Sequence, residues 1–305
     1  MRHRLRLGAA IATVAGLLVL LAGCGRPGDV DGLLVNDWKP IGAPVGFMPV
    51  AEACHLASYA QIGTLVAYEE VDCKIKHRTE TVYVGTYPSP AADADAPPPA
   101  GSAGARAAYK TCDLQTTDYV GGPWRTARLW VGVTRPSAAA WTGGARWFRC
   151  DVLEISSIED EGGLVQRVGS LRDAIELPSS PLLLTCYAIK LDPAGAIDTM
   201  PLTSCAAQHN AEFVGVWYAP NLAFPEQDKQ WAQFHTGCRA LISTYVGVPD
   251  DKDLPFRTGV VSLPGGDDVW AQGDHGVRCY LWLDATALKA SLKGKGVKGM
   301  PIQYK

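Results

Sequence analysis

Two sets of four cysteines, in the same order and framed by the same residues, constrain this chain more than any other feature. One constant shift carries Cys54, Cys73, His77 and Glu80 onto Cys186, Cys205, His209 and Glu212, so both copies read C-x18-C-x3-H-x2-E. Farther on, Cys112 leads to Tyr119-Val120-Gly121 as Cys238 leads to Tyr245-Val246-Gly247. Trp141, Gly144, Arg149 and Cys150 answer to Trp270, Gly273, Arg278 and Cys279, both as W-x2-G-x4-R-C. A weaker echo sets Gly169-Ser170-Leu171-Arg172 against Ala290-Ser291-Leu292-Lys293. So many matches in register identify a duplicated unit, whose length suits two globular domains and not a solenoid of short repeats.

Within each unit the residue types predict an α+β fold. Thr81-Val82-Tyr83-Val84 and Phe213-Val214-Gly215-Val216-Trp217, after each His-x2-Glu, are β-branched and aromatic and read as strands. Thr64-Leu65-Val66-Ala67-Tyr68, entering Cys73, also reads as extended. The third cysteine sits in a helical pattern, with Trp231, Phe234, Cys238 and Leu241 on one face. The fourth sits in a closing strand, Val277-Arg278-Cys279-Tyr280-Leu281-Trp282. The expected architecture is two tandem small antiparallel-sheet domains, each with a helix and two disulfides. Four cysteines allow more than one connectivity. The identical first-to-second spacing favours Cys54–Cys73 and Cys186–Cys205, which leaves Cys112–Cys150 and Cys238–Cys279 to staple helix to last strand.

The first residues address the compartment. Arg2, Arg4 and Arg6 precede an apolar stretch from Leu7 to Leu21, and Leu21-Ala22-Gly23-Cys24 closes it in the manner of a lipoprotein signal peptide. Residues 1–23 are thus expected to be removed, with Cys24 acylated (diacylglycerol and palmitate) and residues 24–45 serving as a tether. The apolar run is short for a membrane span. Nine cysteines are odd for an exported protein, but setting Cys24 aside leaves eight, an even framework for an oxidising compartment. The expected location is the cell membrane, lipid-anchored, on its extracytoplasmic face.

Residues 46–178 are read as the first unit and 179–305 as the second, with the boundary near Pro178 to Pro181. The Ala/Pro/Gly-rich stretch 88–107 is read as a disordered insertion inside the first unit. A net charge of -3, with 19% charged residues, excludes the concentrated cationic footprint of a nucleic-acid binder. The basic tail, with Lys289, Lys293, Lys295, Lys298 and Lys305, reads as a solvated terminus.

Little in the chain looks chemical. His77 with Glu80, and His209 with Glu212, form the one shared polar constellation, a candidate acid–base or metal-ligand pair. Residues three apart on a strand point to opposite faces, however, so the pair is expected to hold a turn and not to converge on an ion. No GxSxG, SxxK, HExxH or Gly-rich phosphate loop occurs, and no CxxC pair. Neither a catalytic residue, a metal nor a cofactor is expected. Trp141 and Trp270 read as core. Trp124 and Trp130, specific to the first unit, are weighed as a sugar- or peptide-binding face and read as core filling.

The order Cys, Cys-x3-His-x2-Glu, Cys, Tyr-Val-Gly, Trp-x2-Gly-x4-Arg-Cys, with the trailing Ser-Leu-Arg/Lys, resembles the septum-formation domain of actinobacterial envelope proteins. The second copy is the closer match, and the first departs from it at Lys74-Ile75-Lys76 and in the Ala/Pro insertion. The resemblance implies a membrane-tethered domain linked to cell division and envelope assembly, without an assigned reaction. The expected role is a non-enzymatic interaction or binding module. Its partners would be the membrane, through the lipid, and an envelope or divisome protein or a cell-wall polymer. The alternative is a metal-binding protein or hydrolase using the HxxE pair.

Overall fold

The computed structural model describes residues 47–64, 69–159, 163–220 and 222–303. Cys24, the expected signal peptide and the expected tether lie outside the described residues, as do residues 65–68 of the expected extended stretch and Lys305. No helix among the described residues is long and apolar enough to cross a membrane.

The protein is α+β, and its strands form two five-stranded antiparallel sheets. In the first half these are β1 (Ala53–His55), β2 (Glu70–Val71), β3 (Thr79–Thr86), β4 (Leu129–Thr134) and β5 (Trp147–Glu154), ordered β2-β1-β3-β5-β4. The second half supplies β6 (Cys186–Tyr187), β9 (Leu202–Thr203), β10 (Ala211–Tyr218), β11 (Gly259–Leu263) and β12 (Gly276–Trp282). Their order, β9-β6-β10-β12-β11, is the same order strand for strand. Even the irregularities agree: β3 slips register against β5 between Thr81 and Tyr83, and β10 slips against β12 between Phe213 and Gly215. A separate ribbon, β7 (Lys190–Leu191) with β8 (Ile197–Thr199), belongs to the second half.

One long helix covers each sheet. Helix α1 (Ala103–Tyr119) lies on β3, β4 and β5, and α3 (Asp228–Val246) lies on β10, β11 and β12. Their starts differ chemically. The Ser102 hydroxyl accepts from the Ala105 amide, whereas Gln227 and Gln230 cap α3 reciprocally. Short helices α2 (Ala138–Thr142) and α4 (Asp267–Ala271) bury Trp141 and Trp270, and α5 (Gly296–Gly299) comes near the end.

Four disulfides fasten this frame: Cys54–Cys73, Cys112–Cys150, Cys186–Cys205 and Cys238–Cys279. The second and fourth run from helix to sheet, α1 to β5 and α3 to β12. The others tie β1 and β6 to the turns that follow β2 and β9.

One expectation needs correction. The stretch 88–107 is ordered: Ala91–Asp93 form a 3-10 turn, and residues 103–107 are the opening turns of α1. Side chains from beyond the helix hold its carbonyls. Trp141 Nε1 donates to Ala94 O (2.7 Å), Arg146 Nε to Ala92 O (2.6 Å) and Arg135 Nη1 to Pro98 O (2.7 Å). A Pro-rich backbone has few N–H groups for a ladder, but its carbonyls remain good acceptors.

The two halves also meet directly, and the described residues form one compact unit. At the junction Arg128 N donates to Leu182 O (2.8 Å) and Leu184 N to Thr126 O (2.9 Å), a two-stranded bridge just after the expected boundary near Pro178 to Pro181. Leu182 itself joins the apolar core of the first half, beside Trp124, Leu129 and Val131.

Candidate functional site

The shared Glu is the centre of a buried hydrogen-bond node in each half. Glu212 opens β10 and has no solvent exposure. Its Oε2 accepts from Tyr245 Oη (2.8 Å), on the last turn of α3, and from Ser291 Oγ (2.7 Å). Its Oε1 accepts from the Leu292 amide (2.8 Å). Glu80 repeats the arrangement in β3: Oε1 accepts from Tyr119 Oη and Ser170 Oγ, and Oε2 from the Leu171 amide (2.7 Å). One carboxylate therefore ties strand, helix end and returning segment together, which accounts for the Tyr of Tyr-Val-Gly and for the weak Ser-Leu echo. A buried carboxylate needs several donors to remain in place, and each Glu has three. Burial, reinforced by the hydrogen bond to Glu80, raises the Tyr119 hydroxyl to about 12. Burial and the Glu212 charge take Tyr245 to about 12 as well.

The His residues stand just ahead of these strands. Each forms a two-residue antiparallel bridge, His77 with Arg167 and His209 with Leu288. Each ring bonds through Nδ1 to the carbonyl two residues back, Ile75 O at 2.9 Å and Ala207 O at 2.8 Å. The His209 Nε2 then comes 3.3 Å from Glu212 Oε1. The expectation that the pair would diverge is corrected for His209 and Glu212, because His209 precedes the regular strand and its ring reaches Glu212. His77 Nε2 is buried without a hydrogen-bond partner among the described residues.

Disulfide sulfur completes each cluster. Ligand-type atoms of Cys186, His209 and Glu212 lie within 4.8 Å of one another, as do those of Cys54, Cys73 and Glu80. The sulfurs are committed to disulfides and the carboxylates to three donors each, so the oxidised protein offers an ion a poor ligand set. Nothing in either cluster pairs a nucleophile with an accessible base, and His77, Glu80, His209 and Glu212 are all at most 1% exposed. The arrangement works chemically as a structural tie.

The stretch 51–279 matches the family model described as septum formation. The chain belongs to the septum-formation family. The match runs as one stretch through both halves of this septum-formation protein, from just before β1 to Cys279 in β12. No curated protein and no solved structure matches the chain.

Several functional groups of this septum-formation chain were missed by motif reasoning because the two halves do not share them. Arg125, nearly buried, forms ion pairs with Asp113 of its own half and Asp274 of the other (2.7 Å). Tyr109 Oη adds a hydrogen bond to Asp274 Oδ2 (2.8 Å). In the first sheet, Thr81 Oγ1 donates to Asp151 Oδ1 (2.8 Å) and bonds His55 Nε2 (2.9 Å), while Arg149 pairs with Asp151 at 2.9 Å. The corresponding second-half residues are Tyr187, Phe213 and Tyr280, which pack ring against ring. Trp124 is buried, donating to Asp113 Oδ1 (2.7 Å). Trp130 is half-buried and sits edge-on to Tyr59, with ring centroids 4.7 Å apart.

Proposed function

We propose that this septum-formation protein is a non-catalytic, lipid-anchored module of the cell envelope, built of two copies of one unit and displayed outside the membrane to bind a component of envelope assembly or cell division. The family match supports the link to septum formation. The observation that carries the non-catalytic part is the fate of the shared polar pair: in both halves His and Glu are buried and the carboxylate is consumed by three internal donors. An enzyme needs a group that can reach substrate, and the shared constellation has none. The lipid anchor at Cys24 rests on the signal-peptide pattern of the sequence.

Cross-linking in intact envelopes, followed by purification of the full chain, tests this reading. The expected result is a recurrent envelope partner, captured equally by the wild type and by any folded variant of His209. An envelope-substrate turnover that disappears in a folded H209A variant would overturn it. The clustering of Cys186, His209 and Glu212 within 4.8 Å favours a second reading, a metal-binding protein. Metal analysis of the purified chain separates the two, since stoichiometric metal would favour the second.

A further inference from the structure

We propose that the cleft where the first sheet meets the β11–α4 loop is a binding site for a carboxylated sugar. The cleft has a volume of about 330 Å³ and is lined by Tyr59, Trp130, Ser157 and Glu159 of the first half and by Gly265 and Arg278 of the second. That volume falls within the range of small-ligand sites.

The charge at its wall comes from a difference between the halves. Arg149 and Arg278 occupy matching positions, each directly before the fourth cysteine. Arg149 is neutralised by Asp151, but the residue matching Asp151 is Tyr280. Arg278 therefore donates to carbonyls, Nε to Arg125 O (3.0 Å) and Nη2 to Leu129 O (3.1 Å), lies 5.6 Å from the centre of the Trp124 ring, and pairs with no carboxylate among the described residues. Asp274, the nearest acid of the same segment, is taken by Arg125. Carbonyl dipoles orient a guanidinium without cancelling its charge, and burial draws Arg278 below the usual guanidinium range. A carboxylate is the ligand group such a fork takes best.

The remaining walls ask for a hydroxylated ring. Ser157 Oγ and Glu159 Oε2 are buried and have no hydrogen-bond partner among the described residues, which leaves a hydroxyl and a carboxylate to be satisfied from the cleft. The Glu159 carboxylate takes ring hydroxyls and repels the ligand's own carboxylate, which leaves the latter to Arg278. Tyr59 and Trp130 supply aromatic surface for the C–H face of a sugar. Their packing requires Gly132, where an added Cβ would lie 2.2 Å from the Tyr59 ring and 2.5 Å from Trp130. The proposal deepens the envelope-binding reading by naming a ligand class. Failure of sugar binding would leave the envelope cross-linking untouched, so the two stand or fall separately.

Calorimetric titration of the purified full chain tests it with N-acetylmuramic acid and N-acetylglucosamine, which differ by a lactyl ether and its carboxylate. The acid is expected to bind about tenfold or more tightly than the neutral sugar, and R278Q to abolish the preference. Because R278Q removes two hydrogen bonds between the halves, W130A provides the second variant. It is expected to weaken binding of the acid about tenfold while leaving thermal unfolding cooperative. Equal binding of the two sugars, no binding of either, undiminished binding in W130A, or tighter binding of a zwitterionic dipeptide such as alanyl-alanine would overturn the proposal.

Discussion

Arg125 donates from Nε to Asp274 Oδ1 at 2.8 Å across the junction of the two halves, with both side chains nearly buried. The same carboxylate accepts from Tyr109 Oη and the Gly276 amide, so it is fully engaged. Removing one partner of a buried pair costs up to about 3–5 kcal/mol, and D274A leaves Arg125 with Asp113 as its remaining ion-pair partner among the described residues. D274A is expected to lose stability on that scale in urea unfolding. The double variant R125M/D274A is expected to recover part of it, because the nearly buried guanidinium that had lost one of its two carboxylates is gone, while Asp113, with 28% of its side chain exposed, can be solvated. An additive double variant would show that the pair does not act as a unit.

The Glu212 node makes a graded prediction. Ser291 contributes one hydroxyl to the carboxylate, so S291A is expected to cost about 1–2 kcal/mol. E212A strands Tyr245 Oη, Ser291 Oγ and the Leu292 amide together and is expected to cost about 3 kcal/mol or more. Denaturant midpoints at constant slope would verify the order. Equal effects of the two variants would mean that the node is not centred on Glu212.

Much of this frame was legible because its signals are local or duplicated. The helix through Cys238 announced itself by the spacing of Trp231, Phe234 and Leu241, and the strand after Glu212 by its β-branched and aromatic run. The Ser-Leu echo was visible too, but nothing local said that Ser291 would meet Glu212 from 79 residues away. Composition misled at 88–107, where order comes from Trp141, Arg146 and Arg135 reaching in from later segments. Matching the halves also hid what they do not share. Asp274, Arg125 and the exchange of Asp151 for Tyr280 fall between the repeated positions, and they shape the junction and the sugar cleft.

The disulfides differ in the length of chain they close. Cys54 and Cys73 are separated by 19 residues, and Cys112 and Cys150 by 38. Chain entropy assigns each bridge about 3–4 kcal/mol, and doubling the loop adds about 0.6 kcal/mol. C112A/C150A is therefore expected to be the less stable of the two double variants, by roughly that increment plus the loss of the helix-to-sheet tie. Thermal unfolding of the two variants side by side measures the difference, and a reversed order would count against the entropic account.

His55 carries the acid sensitivity of the first sheet. Thr81 gives its hydroxyl proton to Asp151, so it accepts from His55 Nε2, and neutral imidazole suffices for this chain of bonds. A second proton would sit on Nδ1, 3.3 Å from Glu69 O, in a buried setting that also holds the Arg149 charge. Burial first, and Arg149 second, hold the His55 pKa below its ordinary value of 6.5, with Asp151 opposing them. A folded-state pKa below the unfolded one means that the unfolded chain binds the proton more readily. The contribution of His55 is thus fully present above pH 6.5 and declines as pH falls through the lower folded value. H55Q, which keeps an amide donor for Thr81 but cannot titrate, is expected to flatten the stability profile below pH 6.5. His235, also held low by burial, is present in both proteins and contributes the same slope to each. Superimposable profiles for the wild type and H55Q would place the acid sensitivity elsewhere.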